Sequence, residues 1–155
     1  MLLNKIGLWG TLILLVAGLI TSCGDTSECA STEIDCDGVC IPGIAATAED
    51  VSAKVFVKSC AQSVCHKGYS AQEGLQLEDI EALRTAIDRF SAQDPSVKLI
   101  APGDAANSYI VRKMRNINIT DVSTTNKPAG MMPPITSLCE PKIKAVEDWI
   151  NGGAN

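Results

Sequence analysis

The stretch Cys60-Ala-Gln-Ser-Val-Cys65-His66 holds the residue types in this chain best suited to chemistry. His66 is the single histidine among 155 residues, and it directly follows a cysteine with another cysteine five positions earlier. A Cys–His pair with a second Cys shortly upstream is the attachment signature of a covalently held haem. The two thiols add across the vinyl groups of the porphyrin, and the adjacent imidazole is thereby swung beneath the iron as proximal ligand. The usual motif separates its cysteines by two residues, whereas four separate them here. On an ideal helix, residues five apart are rotated by about 140°, so Cys60 and Cys65 share a face only if the residues between them loop out. A structural disulfide between Cys60 and Cys65, with His66 a solvated neighbour, uses the same residues and stands as the alternative.

The N-terminus supplies an address for this chemistry. Met1–Lys5 is a short segment with one positive charge, and Ile6–Ile20 is an apolar run. Ile20-Thr21-Ser22-Cys23 then places small residues before a cysteine. This is the secretory pattern, too short and wrongly flanked for a lasting membrane span. Because the site ends in Cys, it resembles a bacterial lipobox, with residues 1–22 as signal peptide and Cys23 as the lipidated first residue. The expected location is outside the cytoplasm, lipid-anchored to a bacterial membrane and facing the periplasm or the exterior.

Cys23 aside, six cysteines remain: Cys29, Cys36, Cys40, Cys60, Cys65 and Cys139. In an oxidising compartment free thiols are unusual. Two thioethers at Cys60 and Cys65 leave Cys29, Cys36, Cys40 and Cys139 for two disulfides, whereas three disulfides and no haem balance equally well. Three cysteines in the N-terminal segment cannot all pair among themselves, so one is expected to reach Cys139 or another chain. Without Lys5 the chain carries twelve basic against eighteen acidic residues. That is not the basic footprint nucleic-acid binding requires, and no nucleic-acid partner is expected.

Two parts must position these residues. Residues 23–47 are polar and rich in Ser, Thr, Asp and Gly, with no helical or strand period, and suggest a disulfide-pinned tether. From residue 48 to 155 the pattern is helical. Val51, Val55 and Phe56 share one side of a helix that leads into Cys60. Ile80, Leu83, Ile87 and Phe90 recur at i, i+3, i+7 and i+10, an amphipathic stripe. Pro102-Gly103-Asp104 reads as a turn with an N-cap, followed by an apolar face of Ile110, Val111 and Met114. A last helix spans about Glu140 to Asn151, with Pro141 in its first turn, Ile143, Val146, Trp149 and Ile150 inward, and Gly152 as its stop. The expected fold class is all-α.

Residues 49–154 resemble the cytochrome c-like domains of exported bacterial lipoproteins. The resemblance rests on Cys60-x4-Cys65-His66, Gly74-Leu-Gln-Leu77, Ala101-Pro-Gly-Asp-Ala-Ala-Asn-Ser108-Tyr109, Met132-Pro133-Pro134 and Trp149-Ile-Asn-Gly-Gly-Ala154, in that order. It implies a cytochrome c-like helical domain with haem c as cofactor, bound through Cys60, Cys65, His66 and Met132. It also implies that the helix before the Cys–His pair crosses the C-terminal helix, with Phe56 and Trp149 placed for that contact. His66 and Met132 would be the iron ligands, the methionine being a soft, neutral sulfur that raises the potential. Met131 is the neighbouring alternative, and Met114 reads as a packed core residue. The function so implied is electron transfer, with redox proteins and, through the lipid, a membrane as partners.

A haem-free, disulfide-stabilised binding or scaffolding module is the competing reading. Zinc on Cys60, Cys65, His66 and Cys139 is disfavoured, because adjacent residues 65 and 66 can hardly converge on one tetrahedral ion. Enzymatic catalysis finds no support: a Ser/His/Asp set would have to use His66, and no phosphate-cradling loop or paired-carboxylate motif stands out.

Overall fold

Thr47 starts the first helix by accepting the Asp50 N–H on its hydroxyl at 3.3 Å, which satisfies one of the donors a helix start leaves open. In the computed structural model, which describes residues 28–121, 127–128 and 130–155, three segments then run on without a break. They are α1 (Ala48–Asp50), a π-helical segment (Val51–Phe56) and α2 (Val57–Ser59). Val51, Val55 and Phe56 are fully buried, as their spacing predicts. On the outer side Lys54 pairs with Asp50 at 2.7 Å and donates to the Gly43 carbonyl, also at 2.7 Å.

The buried face of this helix packs against α5 (Glu140–Asn151). Pro141 lies in the first turn of α5, and Ile143, Val146, Trp149 and Ile150 are buried. Gly152 closes the helix with its N–H on the Asp148 carbonyl at 2.9 Å. Phe56 and Trp149 both belong to this core, and burying each aromatic contributes on the order of 2–3 kcal/mol. α4 (Tyr109–Arg115) also packs on α5. There the Arg115 guanidinium bridges Glu147 and Glu140, the latter at 2.8 Å, and this pairing holds the Glu140 carboxyl below the usual range.

Two readings of local structure are corrected. The stripe from Ile80 to Phe90 is helical only as α3 (Ile80–Arg84), capped by Asp79, whose carboxylate accepts the Ala82 N–H at 2.7 Å. Asp88 adopts a left-handed backbone (φ 59°) and its N–H donates to the Ile100 carbonyl, so Ile87 and Phe90 form bridges to Ile100 and Lys98. Phe90 is 57% exposed as a result. The N-cap position before α4 is Ser108, while Asp104 instead accepts the Asn107 N–H in the preceding turn.

The larger correction concerns fold class. The expected all-α, cytochrome c-like helical domain behind a disulfide-rich N-terminal tether does not describe this architecture, which mixes short helices with antiparallel ladders. β1 (Glu33–Cys36) and β2 (Val39–Pro42) form a hairpin with Ile34 opposite Ile41 and Cys36 opposite Val39. A second ladder joins β3 (Thr120–Asp121) to β4 (Lys127–Pro128). The hairpin turns on Asp37 (φ 56°) and Gly38 (φ 84°), two consecutive left-handed residues. Asp-Gly is the pair that such a two-residue turn prefers, because its twist matches that of the strands. The signal was therefore present in a segment whose flanking residues are too few and too polar to show a strand period.

Two disulfides tie this hairpin down. Cys29–Cys40 closes it locally, and Cys36–Cys139 joins β1 to the cap residue of α5, the expected link from Cys139 to the N-terminal segment. Bridges of this kind belong to an oxidising compartment, extracellular or periplasmic. No helix among the described residues is long and apolar enough to cross a membrane. Residues 1–22 and Cys23 lie outside the described residues.

Cys36–Cys139 spans 103 residues. Closing so long a loop restricts the unfolded chain strongly, so replacing both cysteines by Ser is expected to lower the unfolding free energy by about 2–4 kcal/mol. A denaturant midpoint unchanged by the double substitution would contradict this.

Candidate functional site

The helix 48–59 stops at the first cysteine of the motif. Cys60 occupies the cap position (φ −121°, ψ −36°), and the N–H groups of Cys60 and Ala61 both donate to the Phe56 carbonyl, at 2.8 and 3.0 Å. Cys65 N–H then donates to the Gln62 carbonyl at 2.9 Å, and His66 N–H returns to the Cys60 carbonyl at 3.2 Å. The four residues between the cysteines thus close into a small loop, as the wider spacing requires for Cys60 and Cys65 to approach each other. Both thiols are free and half-buried, unlike the four paired cysteines. Burial, assisted by the neighbouring Cys65, pushes the Cys60 thiol up to about 12.

His66 is held from several directions. Its carbonyl accepts the Leu77 N–H at 2.9 Å, and its Nδ1 donates to the Leu75 carbonyl at 2.9 Å. A carbonyl can only accept, so this contact puts the proton on Nδ1 and leaves Nε2 with its lone pair. Burial pushes the imidazole below its usual pKa, and the Lys113 charge adds to this against the opposing pull of the Leu75 carbonyl. The ring is therefore a neutral donor at physiological pH. Glu73 (φ 55°) and Gly74 (φ 63°) turn the chain just before Leu75, and Gly74 suits that left-handed bend for want of a Cβ.

His66 and Cys60 both line a pocket enclosing about 760 Å³ of empty space, counting its open mouth. Leu75, Leu77, Leu99, Ile110 and Phe56 make most of its wall apolar. Met132 lines it too, held by its N–H on the Lys113 carbonyl at 3.0 Å, so the loop residues that follow α4 present a thioether to the same space as the imidazole. Met131 is half-buried but is not part of the wall, whereas Met114, expected to be a core residue, is buried and also touches the pocket. Cys65 is not among the residues that line it.

Zinc is not supported by this arrangement. Cys139 is consumed in a disulfide, and no cluster of three or more His, Cys, Asp or Glu side chains suited to a metal occurs among the described residues. A metal at His66 would need donors from a cofactor or from sulfur. The pocket offers the imidazole of His66 and the thioethers of Met114 and Met132.

Sequence reasoning missed the polar part of the wall, made by Arg89, Gln93, Tyr109 and Lys113. Lys113 is only 7% exposed although a charged residue beside an apolar helix face ordinarily points to solvent. Its spacing of four from Tyr109 was the available signal, since residues at i and i+4 share a helix face. No family model, curated protein or solved structure matches the chain.

The thiolate is the nucleophile in alkylation, and an ordinary free thiol has a pKa of about 8.5. In chain made without haem, Cys60 is therefore expected to react with iodoacetamide on the order of 100-fold more slowly when folded than when denatured. Fragment mass spectrometry distinguishes it from Cys65 on the shared peptide. Equal rates in the two states would show that the Cys60 thiol is not withdrawn as described.

Proposed function

We propose that this protein carries electrons as a membrane-anchored c-type cytochrome. The observation that carries the reading is that His66, whose Nδ1 is held by the Leu75 carbonyl, lines a largely apolar pocket together with Cys60 and Met132. Metal-ligating histidines characteristically donate their other N–H to a carbonyl or carboxylate, which fixes the tautomer and raises the basicity of the ligating nitrogen. Bound there, a haem supplies reversible one-electron chemistry at its iron.

Each residue has a distinct task in this reading. Cys60 and Cys65 would hold the porphyrin through thioethers, and His66 and Met132 would hold its iron. The apolar wall would keep water from the site, and together with a neutral thioether this would favour the reduced state and raise the potential. Two unpaired thiols beside each other, in a chain whose other described cysteines are all bridged, support the reading because oxidising compartments seldom leave such thiols idle. Cys23 is proposed to carry the lipid that holds the protein at the membrane surface, where redox partner proteins meet it.

Co-expression with haem-maturation factors tests the proposal. A red exported protein with a sharp Soret band and one haem mass on the peptide containing Cys60 and Cys65 is expected. A colourless protein with a Cys60–Cys65 disulfide in the same cells would leave the haem-free scaffold in its place. Met132→Ala is expected to retain haem, lose the weak sulfur–iron band and lower the reduction potential. An unchanged band and potential would remove Met132 from the iron. Separately, Cys23→Ala is expected to release the protein from membranes, and an acylated, membrane-bound variant would overturn the anchor.

A further inference from the structure

The carbonyl that fixes the His66 ring belongs to a loop with two free bending points. Residues 67–77 leave His66 and return to it, with the Leu77 N–H on the His66 carbonyl at 2.9 Å. Gly68 (φ 65°) and Gly74 (φ 63°) are the glycines of this loop, and both adopt the left-handed backbone. A Cβ at either would meet nothing within 4 Å, so they serve conformation rather than close packing. Glycine is also where a backbone turns most easily, and a rotation at Gly74 carries the Leu75 carbonyl with it.

Each glycine is gripped by one charged side chain from outside the loop. Glu78 Oε2 accepts the Gly68 N–H at 2.6 Å, and Arg89 Nη1 donates to the Gly74 carbonyl at 3.3 Å. Hydrogen bonds that involve an ionised group are the stronger kind. Both side chains start from well-held backbone. Glu78 lies between Leu77, which is 2% exposed, and Asp79, the cap of α3. The Arg89 carbonyl accepts the Leu99 N–H at 2.7 Å, beside the bridge between Phe90 and Lys98. The two residues therefore flank α3 and grip the loop at its hinges. Neither is hydrogen-bonded to the imidazole, whose Nδ1 partner is Leu75.

We infer that Glu78 and Arg89 are positioning residues for His66. By holding Gly68 and Gly74 they keep the Leu75 carbonyl on Nδ1, and so select the tautomer whose lone pair is on Nε2. The tautomer of a histidine is set by the bond that its other nitrogen makes. What Nε2 would ligate rests on the haem reading above, whereas the selection itself is a property of the chain without haem.

His66 is the single histidine, so its ring supplies the only imidazole signals in a long-range proton–nitrogen spectrum. The test uses the full chain, nitrogen-labelled, exported without haem-maturation factors and kept reduced, at a pH where the ring is neutral. The Nδ1–H form is expected to dominate in the wild-type chain. Glu78→Ala and Arg89→Leu are each expected to raise the Nε2–H fraction at least about threefold, and either suffices should the other not fold. Glu78→Gln, which keeps an oxygen acceptor, is expected to stay within about twofold of wild type. A role confined to stability would lower the denaturant midpoint and leave the tautomer of the folded chain where it was. An unmoved Nε2–H fraction in a folded Glu78→Ala or Arg89→Leu chain, or a wild-type ring protonated on Nε2, overturns the assignment. Haem attachment is read separately, by mass on the peptide containing Cys60 and Cys65. Its absence ends the haem reading and leaves the tautomer result standing, whereas an unmoved tautomer ends the inference and leaves the haem reading standing.

Discussion

The buried face of helix 48–59 sets the position from which the pocket is built. Val51, Val55 and Phe56 are fully buried, and the helix they anchor packs on α5. Phe56 links this packing to the site, because its side chain lines the pocket while its carbonyl takes the N–H groups of both Cys60 and Ala61. The helix includes a π-helical stretch, Val51–Phe56, and such stretches recur at functional sites. The turn that carries Cys65 and His66 therefore starts from a fixed point. Loosening the core at Phe56 would displace the imidazole even though the two residues are ten positions apart.

The elements most legible in the sequence were those with strong apolar periodicity and clear punctuation. α5 begins and ends where Pro141 and Gly152 place it, with its four expected residues inward. Where tertiary bonding competes with periodicity, the pattern misleads. The spacing from Ile80 to Phe90 is as regular as that of α5, yet the Asp88 N–H finds the Ile100 carbonyl and the chain leaves the helix at Arg84. Nothing local to residues 80–90 announces that partner. The hairpin was missed for the opposite reason: Asp37-Gly38 announces it locally, but only half of its short strands' residues are even partly buried.

At the site, legibility followed chemical rarity. A lone histidine beside a cysteine, and a methionine before two prolines, stand out in any composition, and the structure brings His66, Cys60 and Met132 to one pocket. The residues that prepare them are ordinary. Leu75 contributes a backbone carbonyl, which no side-chain pattern reveals, and Lys113 is one of three basic residues in the last turn of α4, where nothing in the sequence singles it out. Second contacts of this kind depend on where the loop 67–77 returns to the helix, and that is set by three-dimensional closure rather than by residue type.

The bridge between Cys36 and Cys139 also imposes an order of events. A chain made from its N-terminus presents Cys29, Cys36 and Cys40 first, and only one pair among them can close. Cys36 must then wait through 103 residues for its proper partner, and the next thiols to arrive are those of Cys60 and Cys65. Thiol–disulfide exchange runs through the thiolate. A half-buried Cys60 with its thiol near 12 is thus a poor attacker on the hairpin's bridge and a poor target for its oxidation. Once helix 48–59 packs on α5, that burial slows exchange at Cys60 and so protects the finished bridge.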